Sequence, residues 1–510
     1  MPALVTPLFG KAKVKLAQTP RAVTPFGGLA SFVAFLDRIG YAHQVQTHLP
    51  WQLTSPNAIP LAHTLTAFCV GAIAGARRFA HTEMARADRA LHALLGLERW
   101  PGADTVRGGF HRFSQATIQS FWRPLWIWLL GMVRGPAGGF SLDLDSSVFP
   151  RCGHQAGAAK GYNPRRPGRQ SHHPLLAVLA EGPLGLHGWL RSGNTGAARG
   201  VVAFLSEALA LLPEGLWIRC VRADSGFFEE ALLAFLEERR LPYLVVARLT
   251  QRLKRRAAMI GQWQEVDENY AVGEFRARLF GWSAERRFVV VRERVREDQE
   301  AVGRKLIDVP GYTFRLWVTN RSDPVLELWR DYNGRATVEQ RIEELKNDLG
   351  ADDFCTQNFW ATEAAFLAVL FTFNLLSLYQ QQSAPGRAYR QPATLRAAVF
   401  LCGAILGRSG RQSVLHLSAC WGGAGQTQTA AGKHLVVEKS NLAEVGSARR
   451  SNGQRSLPHL MKGSTQLRFS GSRRGSPGFE ADRSWSRSPT QTAPPARPIH
   501  RRRDGKPSAR

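Results

Sequence analysis

The sequence is short of cysteine, of acidic residues and of long apolar runs, and each shortage excludes something. Its six cysteines, Cys69, Cys152, Cys220, Cys355, Cys402 and Cys420, are scattered through 510 residues with no CxxC pair. That spacing excludes a zinc ribbon and a disulfide-stapled scaffold and fits a reducing compartment. The N-terminus lacks the apolar h-region of a signal peptide. The longest apolar runs, near 125–133 and 364–373, are too short to span a bilayer. These absences lead us to expect a soluble protein of the cytoplasm. Acidic residues are outnumbered by basic ones, 40 against 67, for a net charge of +27. Such a surplus points to a polyanionic partner. It is uneven. Residues 431–510 hold 17 Lys and Arg against 5 Asp and Glu, so the other 430 residues keep +15 of the total.

The length allows two or three domains. Residues 1–25 read as a loose basic lead. Residues 26–135 repeat apolar positions at spacings of three and four, as in "GGLASFVAFLDRIG" and "FHRFSQATIQSFWRPLWIWLLGMV", which predicts a helical domain. At 139 the period changes. "FSLDLDSSVF" (140–149) alternates as a strand, and "PLLAVLAE" and "LGLHGWLRSG" follow as strands joined by a Gly/Pro turn. Then come a helix in "TGAARGVVAFLSEALALLP", a strand ending in a turn in "LWIRCVRADSGF", a helix in "FEEALLAFLEERR" and a strand in "PYLVVARL". Residues 136–250 are thus an α/β unit. Residues 251–320 read as a β-rich insertion, and 321–423 as the second part of the core with its C-terminal helices, including the buried helix "ATEAAFLAVLFTFNLLSLY". Residues 424–510, rich in Ser, Gly, Arg and Pro without periodicity, read as a disordered basic tail.

One stretch, "DYNGRATVEQRIEELKNDLG" (331–350), carries two faces if 333–349 is a helix. Val338, Ile342, Leu345 and Leu349 form a core stripe. Arg335, Glu339 and Lys346 lie within roughly 40° of each other, with Tyr332 on or beside that face. An acid between two bases is by itself no more than an ion-paired surface. Other acids give it meaning. Asp143 and Asp145 share a face of the first strand, and Asp224 sits where the fourth strand ends. An acid on a first strand, one ending a fourth strand and one on a later helix is the ribonuclease H-like arrangement. Brought together, such carboxylates hold two Mg²⁺ or Mn²⁺ ions for in-line phosphoryl transfer.

These motifs resemble the DDE transposases of bacterial insertion sequences. Tyr332, Arg335, Glu339 and Lys346 match the Y-x2-R-x3-E-x6-K signature in full, and within that group the chain is most similar to insertion-sequence family thirteen-eighty. "LDLDSS" resembles the first-acid motif, with Ser147 where Thr is usual, and "GHQAGAAKGYNP", "HPLL", "LRSGN" and "RADSGF" resemble further family motifs over about residues 25–422. The resemblance implies Asp145, Asp224 and Glu339 as catalytic metal ligands, with Glu343 and Glu344 as the competing acids nearby. It implies phosphate contacts from Tyr332, Arg335 and Lys346 to transposon-end DNA. Asp143 is either an accessory ligand or a structural hydrogen-bonding group. Relatives stack a flipped base on a Trp of the insertion; Trp317 is the candidate here, with Trp263 and Trp282 as alternatives. The loop 151–173 offers Lys160, Arg165, Arg166 and Arg169, with His172 and His173, for DNA backbone contact, and Arg191 and Asn194 are further candidates. The implied partners are inverted-repeat ends and target DNA, bound by a homodimer on paired ends in the bacterial cytoplasm, on the nucleoid. Two rivals are a ribonuclease H-like nuclease that cuts without joining and an inactive DNA-binding regulator derived from a transposase.

Overall fold

A computed structural model of the chain describes residues 4–9, 12–294 and 311–422. All of them belong to the first of the chain's two units, Met1–Lys439. The expected tail, 424–510, lies outside the described residues.

A nine-stranded sheet organises the fold. In chain order its strands are β1 (Phe140–Ser146), β2 (Leu175–Leu179), β3 (Leu184–Trp189), β4 (Ile218–Ala223), β5 (Tyr243–Val246), β6 (Gln264–Glu265), β7 (Tyr270–Ala277), β8 (Arg286–Arg294) and β9 (Tyr312–Thr319). Their spatial order is β6-β7-β8-β9-β5-β4-β1-β2-β3. The first five strands form a 3-2-1-4-5 core. β1, β2 and β3 pair antiparallel, while β1, β4 and β5 run parallel. Strands β6–β9 extend this sheet beyond β5, to which β9 pairs antiparallel. The insertion therefore lengthens the core sheet.

Both faces of the sheet are covered, which explains the nearly continuous apolar runs of β1, β2 and β5. The helices that precede the sheet are α1 (Leu29–Arg38), α2 (Tyr41–His48), α3 (Leu61–Ala74), α4 (Arg89–Leu95), α5 (Ala103–Phe110) and α6 (Gln115–Leu130). They share one continuous apolar core with the strands. Ser114 and Thr117 form a reciprocal capping box at the start of α6. Helices α7 (Val201–Leu209) and α8 (Glu230–Glu238) belong to the same core. The segment "TGAARG", expected to be helical, is loop up to Gly200, where the left-handed backbone starts α7. α9 (Gln251–Ala258) is a helix where the sequence reads as mostly strand.

α10 (Val325–Asn333) and α11 (Ala336–Glu343) replace the single helix expected over 333–349. They join at Gly334, and a π-helical turn, Glu344–Asp348, continues α11. The core stripe is as the spacing suggests: Val338, Ile342, Leu345 and Leu349 are all buried. α12 (Phe359–Ser383) crosses the interior against α3, α6 and β3. Its apolar run looks short because Thr372, Asn374 and Ser377 interrupt it, yet the helix has 25 residues. It is long and apolar enough to cross a membrane, and its apolar window is wholly buried inside the protein. Asn374 explains the tolerance of a polar group there: its side chain bonds both Gly185 N–H and Gly185 C=O, at 2.7 and 2.8 Å.

The two ends of the described chain differ from expectation. Instead of further helices, residues 402–422 form a hairpin of Cys402–Ser409 and Gln412–Gly422. Ala22–Thr24, from the lead read as loose, pairs with its first strand. This pairing was hidden because its partners are almost 400 residues apart in sequence. All six cysteines are free.

Candidate active site

The parallel register of β1 and β4 sets the site. Leu144 pairs with Ala223, so the next residues, Asp145 and Asp224, leave adjacent strands at the same sheet edge, where neighbouring strands lie about 4.8 Å apart. Asp224 then caps a 3₁₀ turn, Ser225–Phe227, accepting from Gly226 N–H at 2.9 Å. Asp145 accepts from Ser146 N–H at 2.8 Å. Glu339 stands exposed in the first turn of α11. All three acids line one cleft of ≈ 1510 Å³, together with Glu343, Lys346, Asn194, His173 and the arginine-rich loop.

The electrostatics tie the acids together. Asp145 has its pKa raised from 3.8 to about 6. Burial is the main cause, Asp224 and Glu339 add repulsion, and the attraction of Arg335 opposes them. The donor set is three carboxylates with no thiol, oxygen chemistry that suits Mg²⁺ or Mn²⁺. A divalent cation at this edge would relieve both the burial and the repulsion. The residues therefore fit such an ion, although among the described residues no group of three acid, His or Cys side chains closes a preformed cage.

Asp143, two residues before Asp145 on the same face, has a different role. It is fully buried and receives Arg222 Nε at 2.7 Å and Nη2 at 2.9 Å. Arg222 also donates to Asp331 C=O at 2.6 Å. Asp331, at the end of α10, further gathers Arg219 at 3.0 Å and Arg321. Burial alone would raise the Asp331 pKa, but its hydrogen bonds to Arg219 and Arg321 hold it below the usual range. Gly334 gives this joint room, because a Cβ there would stand 3.0 Å from Arg222 Nη1. This network fastens α10 to β1 and β4. Sequence reading missed Arg222, Arg219, Arg321 and Asp331, because partners on separate elements leave no periodic signal.

The candidate DNA contacts divide. Lys346 lines the cleft and donates to Val148 C=O at 3.2 Å. Arg165, Arg166 and Asn194 are exposed on the cleft wall. Lys160 is exposed but stands outside that wall. Its neighbour Gly161 crosses Gly193 so closely that a Cβ would meet Gly193 O at 1.8 Å, which fixes the two loops against each other. Tyr332 is half-buried beside Trp317, and burial pushes its hydroxyl up to about 12.

Three residues are placed otherwise than expected. Arg335 is 5% exposed: its Nη2 donates to Leu144 C=O at 3.0 Å and lies 3.4 Å from Asp145, while its Nε has no partner. It braces the first acid from beneath. Arg191 is buried and donates to the carbonyls of His173, Gly196, Ala197 and Arg199, so it shapes the loop instead of facing DNA. Trp317 is 2% exposed, within the apolar cluster of Cys220, Leu244, Val289 and Leu328. Its neighbours Leu316 and Val318 enter the other core, as strand alternation requires. Trp263 and Trp282 are half-buried, with Arg292 and Arg286 over their rings, and neither lines the cleft.

A family model described as transposase DDE domain group 1 matches residues 6–431. The chain belongs to this transposase family. A solved structure similar to this transposase is a piggyBac transposase synaptic complex with hairpin DNA, 11% identical with a TM-score of 0.42, covering 74% of this chain and 81% of that one. No curated protein matches the transposase.

Proposed function

We propose that this transposase binds the inverted-repeat ends of an insertion sequence and catalyses strand cleavage and strand transfer at Asp145, Asp224 and Glu339. The observation that carries the reading is the β1–β4 register, which brings Asp145 and Asp224 to the ends of adjacent strands, with Glu339 lining the same cleft. The 3-2-1-4-5 strand order supports a ribonuclease H-like core. The complete signature Tyr332, Arg335, Glu339 and Lys346 supports the group to which insertion-sequence family thirteen-eighty belongs.

The three acids would hold two Mg²⁺ or Mn²⁺ ions. When bound, such ions activate a water or 3′-hydroxyl and stabilise the leaving oxygen of an in-line displacement. The chain's own residues do the rest. Arg335 and Ser146 N–H fix the rotamer of Asp145. The Asp143–Arg222–Asp331 network ties α10, which leads into α11 and Glu339, to β1 and β4. Lys346 offers a point charge to a phosphate beside the acids, and Arg165, Arg166 and Asn194 meet the backbone farther along the wall. The chain acts as a homodimer on paired ends.

The test is cleavage and joining of the element's own end duplex in Mg²⁺. The native chain nicks and joins; Glu339→Gln binds the duplex and does neither, a loss of at least about a thousandfold. If Glu339→Gln cuts as fast as the native chain, Glu343 on the same wall takes the role. Cutting without joining identifies a nuclease, and binding without either identifies a regulator.

A further inference from the structure

The wall of the active cleft carries as many acidic as basic side chains among the described residues, seven of each. Without bound cations its charges therefore balance, and a surface beside it with uncompensated positive charge adds to the attraction for duplex DNA. The sheet edge supplies one. Val245 on β5 pairs with Ala223, so Val246 is level with Asp224, and Arg248, two residues on, is exposed on the cleft wall. Thr250 then caps α9, whose sequence QRLKRRAA has four basic residues and no acid. Leu253 and Ala257 are its buried side. At about 100° per residue, Arg252, Arg256 and Arg255 fall within one arc of about 100° on the solvent side. All three are exposed, and their side chains make no ion pair or hydrogen bond among the described residues. Two of them complement the helix C-terminus. That does not account for Arg252 or for Arg248, which continue the row back to the cleft.

We propose that Arg248 and the Arg252–Arg255–Arg256 side of α9 form a phosphate-binding ridge that carries duplex DNA away from the cleft on the β5 side. The proposal rests on the DNA transposase reading above. The ligand is the phosphate backbone of a duplex, from one of two sources: DNA continuous with the bound end, or a second, target duplex. No base edge is read, so the ridge contributes affinity without sequence preference.

The experiment uses the full chain with Arg252, Arg255 and Arg256 all changed to Gln, which keeps helix propensity and leaves Leu253 and Ala257 in place. A triple Lys variant keeps the charge. Binding is read by fluorescence anisotropy over a salt series, on end duplexes with and without a long flank, and on an unrelated duplex added to chain already saturated with end duplex. The Gln variant is expected to bind about ten- to a hundredfold more weakly and to lose about three from the slope of log K against log salt, while the Lys variant keeps most of both. A loss confined to the flanked end assigns continuous DNA; a loss confined to the second duplex assigns target DNA. If the native chain binds with a steep salt dependence and the Gln variant matches it on every duplex, the ridge is refuted alone. A native chain that binds no duplex overturns the ridge and the transposase reading together.

Discussion

Asp145→Asn should make the metal-free protein more stable above pH 6, although it removes half of an ion pair. The Asp145 side chain is 12% exposed, and its pKa is about 6 in place of 3.8. Burial and the charges of Asp224 and Glu339 outweigh Arg335 in that balance. At 1.36 kcal/mol per tenfold in proton affinity, ionised Asp145 costs the fold about 3 kcal/mol relative to its protonated form. Asn has the shape of the protonated acid and still accepts from Ser146 N–H. The sign follows from linkage. A carboxyl whose pKa is raised on folding contributes most below the unfolded value near 4, and that contribution disappears as pH rises through about 6. Urea unfolding in chelator from pH 4 to 8 measures it. Native stability should fall below that of the variant across this window by about 3 kcal/mol and then run parallel. Other titrating acids, such as Glu363 at about 7, are common to both proteins and cancel in the difference. Added Mg²⁺ should stabilise the native chain by about 2.7 kcal/mol at a hundred times its dissociation constant, and the variant much less. A variant less stable than native at pH 8, or a difference that does not move with pH, would refute the electrostatic account of the site.

Arg222→Gln should act in the opposite direction. It leaves Asp143 buried without its bidentate partner, at a cost of about 3–5 kcal/mol in the same urea series; an unchanged midpoint removes the network's role. Trp317→Ala should cost about 3–5 kcal/mol through the cavity it opens between β9 and α10. Full stability with loss of end binding would instead return Trp317 to a base-stacking role.

Much of the fold was legible because its strands and helices bury apolar residues at regular spacing. β1, β2, β4, β5, α8 and α12 stand where the alternation and the three-to-four spacing place them, and the stripe from Val338 to Leu349 is buried as expected. The break at Gly334 was not legible, because the arginine that packs against it comes from β4, more than a hundred residues earlier. α9 was missed because a short helix with only Leu253 and Ala257 inside has little apolar period to detect. The pairing of Ala22–Thr24 with Cys402–Ser409 needs a partner no local window contains.

The candidate site divides in the same way. The sequence by itself determined which residue types were present and at what spacing: two acids alternating on a strand, one ending another, and a signature with Tyr, Arg, Glu and Lys. It did not determine what each side chain meets. Asp143 and Asp145 are equivalent by alternation, yet Arg222 lies level with Asp143 in the parallel register, whereas Asp145 stands one step past the paired positions, at the mouth of the cleft. Arg335 and Arg191 have the chemistry to clamp a phosphate, but both are drawn inward by carbonyls that other segments supply. Spacing along a chain fixes the direction in which a side chain leaves the backbone. Only the packed structure decides whether it meets water, an ion partner or the core, because those neighbours come from segments that the local sequence does not specify.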